Sequence, residues 1–295
     1  MTDGDWLAQR FEEHRPHLRA VAYRMLGSLS EAEDAVQEAW IRLSRTDTSE
    51  VENLRAWLTT VVSRVCLNLL RSRRVRREAP LEVHLPDPIV SGEDGVDPEQ
   101  QALIGDSVGL AMLVVLETLS PAERVAFVLH DVFGVPFDEI APIVGRSSTA
   151  TRQLASRARR RVRGAPVTDA DLPAQRAVVD AFLTAAQQGD FDALIAVLDP
   201  DVVLRSDAGP ARPRLTRLVI GAREVAAEAT FYRGVAVSTT PVLINGAAGL
   251  AAWTPMGRLF AVASFAVRDG RIVAMDFLLD RERLEDIEAV LIGSA

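Results

Sequence analysis

Arginine is concentrated between Ser148 and Arg163, a stretch with six arginines and no acidic residue. On a helix, at about 100° per residue, the small and apolar residues of this stretch share one face. They are Thr151, Leu154, Ala155, Ala158 and Val162. The polar residues left to bind a partner are Ser148, Thr149, Arg152, Gln153, Ser156, Arg157, Arg160 and Arg163. Such side chains hydrogen-bond base edges and phosphates, so the stretch predicts a helix that reads the major groove of DNA.

The residues before this stretch predict the elements that position it. Ser120-Pro121-Ala122-Glu123 has the capping-box pattern of a helix start. Gly134-Val135-Pro136 ends that helix, a short helix follows from Phe137 to Val144, and Gly145-Arg146-Ser147 forms a tight turn. This order predicts a helix-turn-helix. The alternative, a surface helix that meets only solvent, is less favoured because such helices usually mix charges of both signs.

A second basic cluster, from Arg64 to Arg77, holds another six arginines and no acid. The net charge of the whole chain is −8, which by itself argues against a nucleic-acid partner. However, the field at a phosphate is screened within about 8–10 Å at physiological salt. Local charge, rather than the net charge of the chain, therefore indicates whether DNA is a partner, and both arginine clusters fit DNA.

Composition bounds the remaining possibilities. The 295 residues predict two or three domains, and 48% hydrophobic residues suffice for folded cores. The single cysteine, Cys66, cannot form an internal disulfide, so a reducing, cytoplasmic location is expected. No apolar run is long enough for a membrane span, and the N-terminus lacks a signal-peptide pattern. His14 and His17 lie one helical turn apart, which indicates a surface pair rather than a metal site.

Three helices are predicted in the first part of the chain. They cover residues 5–27, a segment that starts with a capping box at Ser30–Glu33, and a segment from Leu54 to about Arg77. The exposed face of the second helix carries Asp34, Gln37, Glu38 and Ile41. This face is either a protein-binding surface or an ordinary acidic face with one apolar residue.

A proline-rich, acidic linker at residues 78–100 separates these helices from the helix-turn-helix. In that order, the segments AEDAVQEAW, RAWLTTVVSRVCLNLLRSRRVRRE and LETLSPAERVAFVLHDVFGVPFDEIAPIVGRSSTATRQLASRARRRV resemble bacterial extracytoplasmic-function (ECF) sigma factors. The resemblance covers about residues 5–163. It implies two all-α domains, region 2 and region 4. It also implies binding to core RNA polymerase, through its β′ clamp and β flap, and to promoter DNA.

The resemblance assigns roles to particular residues. RNA polymerase binding falls to Asp34, Gln37 and Glu38. The −10 side of the promoter falls to Arg64, Asn68, Arg71, Arg73, Arg74 and Arg76. The −35 side falls to Ser148, Thr149, Arg152, Gln153, Ser156, Arg157 and Arg160.

From Ala174 onward the pattern changes to helices followed by short strands. Asn245-Gly246 and Asp269-Gly270 are strong hairpin signals. The predicted strands are Val202–Leu204, Val235–Leu243, Leu250–Trp253, Leu259–Val267 and Ile272–Leu279, with helices from about Gly221 to Arg233 and from Arg281 to Leu291. The pattern predicts an α+β cone with a curved antiparallel sheet, and it resembles the SnoaL-like members of the NTF2-like superfamily.

Sigma factors with this extension often carry a WLPEP-like segment in the linker and a DGGG segment after the first long strand. Here His84-Leu85-Pro86-Asp87-Pro88 and Asp207-Ala208-Gly209-Pro210 occupy those places. The expected divisions are region 2 at 1–78, a linker at 79–100, region 4 at 101–164, a second linker at 165–173 and the SnoaL-like domain at 174–295.

Such cones can enclose an apolar pocket, so a small ligand is one further candidate partner. Candidate wall residues are Phe231, Trp253, Phe260, Phe265 and Phe277, although plain core packing is the alternative role for most of them. Asp207 and Asp276 could act as general bases if they are buried. The chain contains no P-loop, GxGxxG, Ser/His/Asp or Cys/His set. We therefore expect no enzyme activity, cofactor or metal.

The favoured function is an alternative sigma factor for stress-type promoters, regulated in cis by the cone. The rival is a ligand-sensing DNA-binding regulator, or a cyclase or isomerase, fused to a DNA-binding module. The AEDAVQEAW helix favours the sigma factor, because a stand-alone repressor has no use for a polymerase-binding helix.

Overall fold

The computed structural model describes residues 3–46, 51–76, 83–92, 109–164, 168–231 and 238–293. They form two compact units. One contains residues 1–80, 98–105 and 113–165, and the other contains residues 81–97, 106–112 and 166–295. Linker residues 83–92 thus belong to the second unit. Arg77, the rest of the linker at 79–100 and the start of the second linker at 165–167 lie outside the described residues.

The first unit begins with three helices: α1 (Asp3–Leu26), α2 (Leu29–Leu43) and α3 (Leu54–Arg76). Gly27, in the left-handed region at φ 67°, ends α1. Ser28 then caps α2 by accepting a hydrogen bond from the Glu31 amide at 3.5 Å. The predicted capping box at Ser30 is therefore wrong. Because of the turn at Gly27, the cap of α2 lies two residues before the predicted one.

The first unit also contains the predicted helix-turn-helix. Its elements are α5 (Pro121–Phe127), a π-helical turn (Val128–Val132), α6 (Phe137–Val144) and α7 (Ser148–Val162). The helix before it, α4 (Leu110–Glu117), has its first three residues in the second unit and the others in the first. The capping box of α5 is confirmed, because Ser120 and Glu123 exchange backbone-to-side-chain hydrogen bonds at 3.1 and 3.4 Å. The π turn was not predicted, since one wide turn leaves the apolar spacing almost unchanged.

The three N-terminal helices and the helix-turn-helix pack on each other. α3 contacts α5 and α6, and α1 contacts the π turn. Phe133 and His17 form a T-shaped pair with ring centroids 5.3 Å apart, and the Arg24 guanidinium lies 5.1 Å from the centre of the Phe133 ring. The helices of both predicted promoter-binding regions therefore share one compact unit.

The second unit is a sheet with helices against it, which confirms the predicted α+β cone. Its helices are α8 (Leu172–Gln188), α9 (Phe191–Val197), α10 (Ala222–Phe231) and α11 (Arg281–Gly293). Its strands are β1 (Val90–Ser91), β2 (Leu198–Asp207), β3 (Arg217–Ile220), β4 (Ser238–Ile244), β5 (Ala247–Trp253), β6 (Leu259–Arg268) and β7 (Arg271–Leu278). Their order in the sheet is β1-β4-β5-β6-β7-β2-β3.

The two predicted hairpin turns are present, with Asn245 at φ 49° and Asp269 at φ 53°. The expectation of a wholly antiparallel sheet is wrong, because β2 runs parallel to β7. Parallel neighbours need a long connection between them, and the elements from β3 to β6 provide it. The strand predicted at Val202–Leu204 is longer, and β1 and β3 were not predicted. Residues 232–237, where the fourth strand and the preceding helix were expected to meet, lie outside the described residues.

None of the described helices is long and apolar enough to cross a membrane.

Protonation of His17 should weaken the first unit. Burial, reinforced by the positive charge of Arg55, lowers the pKa of His17 to about 4. The unfolded chain, with a pKa near 6.5, then takes up the proton first, so stability is lost as pH falls from about 6.5 towards 4. His17→Gln should flatten the pH dependence of the unfolding free energy in this window, measured by urea denaturation. His14→Gln is the control: burial also lowers the pKa of His14, but less than that of His17, so the slope should change less. An unchanged slope in His17→Gln would contradict the assignment.

Candidate nucleic-acid interfaces and the linker strap

Helix α7 is held in place by its turn and its inner face. Gly145 adopts the left-handed conformation at φ 69°, and Ser147 then accepts a hydrogen bond from the Ala150 amide at 3.2 Å. The residues buried on the inner face are Thr151, Ala155, Ala158 and Val162, as the spacing predicted, with Leu154 half-buried. The outer face therefore lies open to a partner.

The predicted −35 residues are mostly exposed on that outer face. The exposed ones are Thr149, Arg152, Gln153, Ser156, Arg157 and Arg160, whereas Ser148 is half-buried and donates to Asp138. Two other arginines are engaged within the unit: Arg159 pairs with Asp131, and Arg161 lies 3.4 Å from Glu123. The arrangement can contact a phosphate backbone and base edges, and the individual roles remain predictions.

An aromatic stack supports Arg152. Its guanidinium lies 5.4 Å from the centre of the Phe137 ring, and Phe137 stacks on His130 at 3.8 Å. His130 in turn is hydrogen-bonded to the Val135 carbonyl at 2.9 Å. A cation over an aromatic face loses orientational freedom before it binds. The sequence suggested Arg152 but not the platform below it.

The predicted −10 residues fall into three groups. Arg64, Asn68 and Arg71 are exposed on successive turns of α3. Arg73 instead donates to Glu31 and, at 2.9 Å, to the Leu26 carbonyl, so its guanidinium ties α3 to the α1–α2 corner. Arg74 and Arg76 lie in α3, but their side chains are outside the described residues.

The predicted polymerase-binding residues share one face of α2. Asp34 and Gln37 are exposed, and Glu38 is half-buried and accepts a hydrogen bond from Arg42 at 2.9 Å. Ile41 beside them is 37% exposed. An exposed apolar side chain within an acidic patch suits a protein partner better than DNA.

Within the second unit, linker residues 83–92, here called the strap, bind along the sheet and α11. The Leu85 amide donates to Asp207 at 2.9 Å. Arg283 donates to three partners, namely Asp207 at 3.0 Å, Asp87 at 2.8 Å and the Leu85 carbonyl at 2.8 Å. The segments HLPDP and DAGP are thus joined by the Asp207 carboxylate and the Arg283 guanidinium.

The strap then joins the sheet. The Ile89 amide donates to the Asn245 side chain at 3.1 Å, and the Asn245 amide donates to the Ile89 carbonyl at 2.8 Å. Strand β1 pairs with the end of β4, and Leu85, Ile89 and Val90 are buried. The sequence marked Asn245 only as a turn residue.

The two acids considered as general bases have structural partners. Burial alone would raise the pKa of Asp207, but hydrogen bonds from His84 and from the Leu85 and Gly209 amides hold it below its usual value. Burial raises the pKa of Asp276, and Arg205, which donates to it at 2.6 Å, opposes that rise. Across the described residues, no group of three or more His, Cys, Asp or Glu could hold a metal.

The cone contains a partly open cavity of about 200 Å³ on the other face of the sheet. Phe260, Phe265 and Phe277 line it, as predicted. Trp253 does not line it, because β5 is irregular between Ala252, which faces the cavity, and Trp253. The Trp253 indole donates to Thr240 at 3.0 Å. The side chain of Phe231 lies outside the described residues.

The stack below Arg152 predicts energetic coupling between Phe137 and Arg152. Phe137→Ala should weaken DNA binding by about 0.5–1 kcal/mol, the value of an exposed cation–π contact. The measurement is a double-mutant cycle with Arg152→Ala, read as the dissociation constant for a selected duplex. Phe137→Trp should retain the affinity. Fully additive effects of the two substitutions would show that Phe137 does not position Arg152.

Comparison with known proteins accords with this geometry. Residues 10–76 match the Sigma-70 region 2 family, and residues 110–162 match the Sigma-70 region 4 family. The chain is 41% identical to ECF RNA polymerase sigma factor SigJ of Mycobacterium tuberculosis over 282 residues, 90% of this chain and 89% of that protein. It is 36% identical to probable ECF RNA polymerase sigma factor SigI of M. tuberculosis over 299 residues, 99% and 100% of the two chains.

The chain is also similar to the crystal structure of M. tuberculosis SigJ, with a TM-score of 0.73 and 35% identity over 94% of this chain and 98% of that one. The similarity therefore extends through both promoter-binding regions and the cone. The chain belongs to the ECF RNA polymerase sigma factors.

Proposed function

We propose that the cone regulates this sigma factor in cis, through the strap. The protein initiates transcription at specific promoters together with core RNA polymerase. The observation that carries the proposal is that part of the linker between regions 2 and 4 is bound to the cone by Asp207, Arg283 and Asn245. Any change in the spacing of the two regions must involve this linker.

The bound strap shortens the free linker. Between the end of α3 at Arg76 and the start of α4 at Leu110, the strap takes up residues 83–92. An extended chain spans at most about 3.6 Å per residue, so residues 77–82 reach only about 20 Å. Release of the strap joins this short tether and the longer one at residues 93–109 into a single tether. We infer that the strap limits how far regions 2 and 4 can separate to meet the −10 and −35 elements.

The packing of both regions in one unit supports a restrained free form. The contact of Phe133 with His17 and Arg24 joins the helix-turn-helix to α1. Two DNA-binding parts packed side by side cannot each follow a separate promoter element. In this proposal, strap release and opening of the Phe133 contact both precede promoter binding.

The proposed DNA contacts follow the exposed polar faces. On α7, Arg152, Gln153 and Arg157 read or position the −35 side. On α3, Arg64, Asn68 and Arg71 serve the −10 side. Arg73 acts on DNA only indirectly, by holding the end of α3 through Glu31 and the Leu26 carbonyl.

We also propose that the protein is not an enzyme and acts in the cytoplasm. Asp207 and Asp276 are both engaged by arginines and lie on the face of the sheet opposite the cavity. A general base needs access to a substrate proton, which neither position offers. A factor that binds core polymerase and promoter DNA works where the chromosome is.

Charge reversal on α2 should weaken polymerase binding. Asp34→Arg replaces a negative charge with a longer, positively charged side chain on the face of α2 that we expect to contact core RNA polymerase. We expect the dissociation constant to rise at least tenfold. The measurement is titration of labelled protein with purified core enzyme. Glu13→Arg, an exposed acid on α1, is the matched control and should bind normally. Equal binding by both variants would show that this face of α2 is not part of the polymerase interface.

Removing Arg283 should release the strap. Loss of one partner of a buried ion pair costs about 3–5 kcal/mol, and here Asp207 would lose its guanidinium. Arg283→Ala should speed amide exchange at Leu85 and Ile89 and raise promoter output several-fold in reconstituted transcription. The control is Arg281→Ala, because Arg281 is on the same helix but its side chain is 75% exposed. Faster exchange without a change in output would refute regulation through the strap but leave the sigma-factor role intact.

A further inference from the structure

The cavity of the cone has the dimensions and lining of a small-molecule site. It measures about 200 Å³ and lies between α8, α10 and the inner face of the sheet. Its walls include Phe182, Leu204, Leu250, Phe265, Met275 and Phe277. An apolar cavity of about 150 Å³ already accepts a benzene ring. A one- or two-ring molecule therefore fits.

The cavity has no place for a charged ligand. The charged residues that line it are Arg217 and Glu228, and they neutralise each other in an ion pair. An ionised ligand would have to be buried among phenylalanine and leucine side chains without a partner, which is strongly unfavourable. The lining therefore selects an uncharged molecule.

One polar group inside the cavity can orient such a molecule. Ser206 lies in the wall on β2, and its hydroxyl donates to the Leu215 carbonyl at 2.5 Å. With its proton committed, the Ser206 oxygen is left as an acceptor. The complementary group on a ligand is a hydrogen-bond donor, such as an alcohol or phenol.

We propose that the cone binds a small, uncharged, largely apolar molecule with one hydroxyl group, which donates to Ser206. The site binds its ligand without turnover, because Asp207 and Asp276 point to the other face of the sheet. This inference does not depend on regulation through the strap.

The test uses the full chain and 2-naphthol, a fluorescent two-ring alcohol that is uncharged at neutral pH. We expect saturable binding at one site by fluorescence titration and an increase in melting temperature. Naphthalene should bind at least threefold more weakly because it lacks the hydroxyl, and 2-naphthoate should not bind because it is charged. Equal affinity for all three compounds would overturn the assignment of the ligand class.

Matched variants on α10 locate the binding. Ala229 lines the cavity, whereas Ala227 on the same helix is exposed. Ala229→Phe should fill the cavity and weaken 2-naphthol binding at least tenfold, and Ala227→Phe should bind as the original chain does. If Ala229→Phe does not fold, Ala252→Leu on β5 fills the same cavity. No binding to the original chain, or binding unchanged in a folded cavity-filled variant, overturns the proposal.

Discussion

The buried carboxylate of Asp207 is the point on which the second unit depends. A charge removed from water must be paired and hydrogen-bonded, and Asp207 obtains its partners from two distant segments. The strap provides the Leu85 amide and α11 provides Arg283, which also holds Asp87, 196 positions away in sequence. Because each partner is poorly satisfied without the others, the strap should bind or leave as a whole. The link between linker and cone is therefore closer to a two-state element than to a set of independent contacts.

Arginine serves two different purposes in this chain. On the outer faces of α3 and α7 it is exposed and available to phosphates. Elsewhere it holds the helices together: Arg73 binds Glu31, Arg159 binds Asp131, and the buried Arg124 donates to Glu117 at 2.8 and 2.9 Å. Only the exposed group can release counterions from DNA, so the number of arginines overstates the salt dependence of binding.

Local signals in the sequence predicted the local structure well. The capping box at Ser120, the turn at Gly145 and the hairpins at Asn245 and Asp269 were all recognised, because each depends on a few neighbouring residues. The faces of α7 followed from spacing alone. One local prediction failed, because the turn at Gly27 makes Ser28 rather than Ser30 the cap of α2. Most other failures depend on residues far apart in sequence: the parallel pairing of β2 with β7, the short strand β1, the ion pair between Arg73 and Glu31, and the role of Arg283. Trp253 was misplaced because a strand pattern does not show the irregularity of β5 between Ala252 and Trp253. The resemblance drew attention to HLPDP and DAGP, and only the fold shows that they touch.

The strap also completes the sheet. Its two-residue strand β1 covers the end of β4, which otherwise would be the outermost strand on that side. An uncovered strand presents unpaired amides and carbonyls that any extended peptide can engage. Release of the linker would therefore expose a strand edge on the cone that can pair with another chain. A molecule in the released state would be more prone to self-association, unless polymerase or another chain occupies the place that the linker has left.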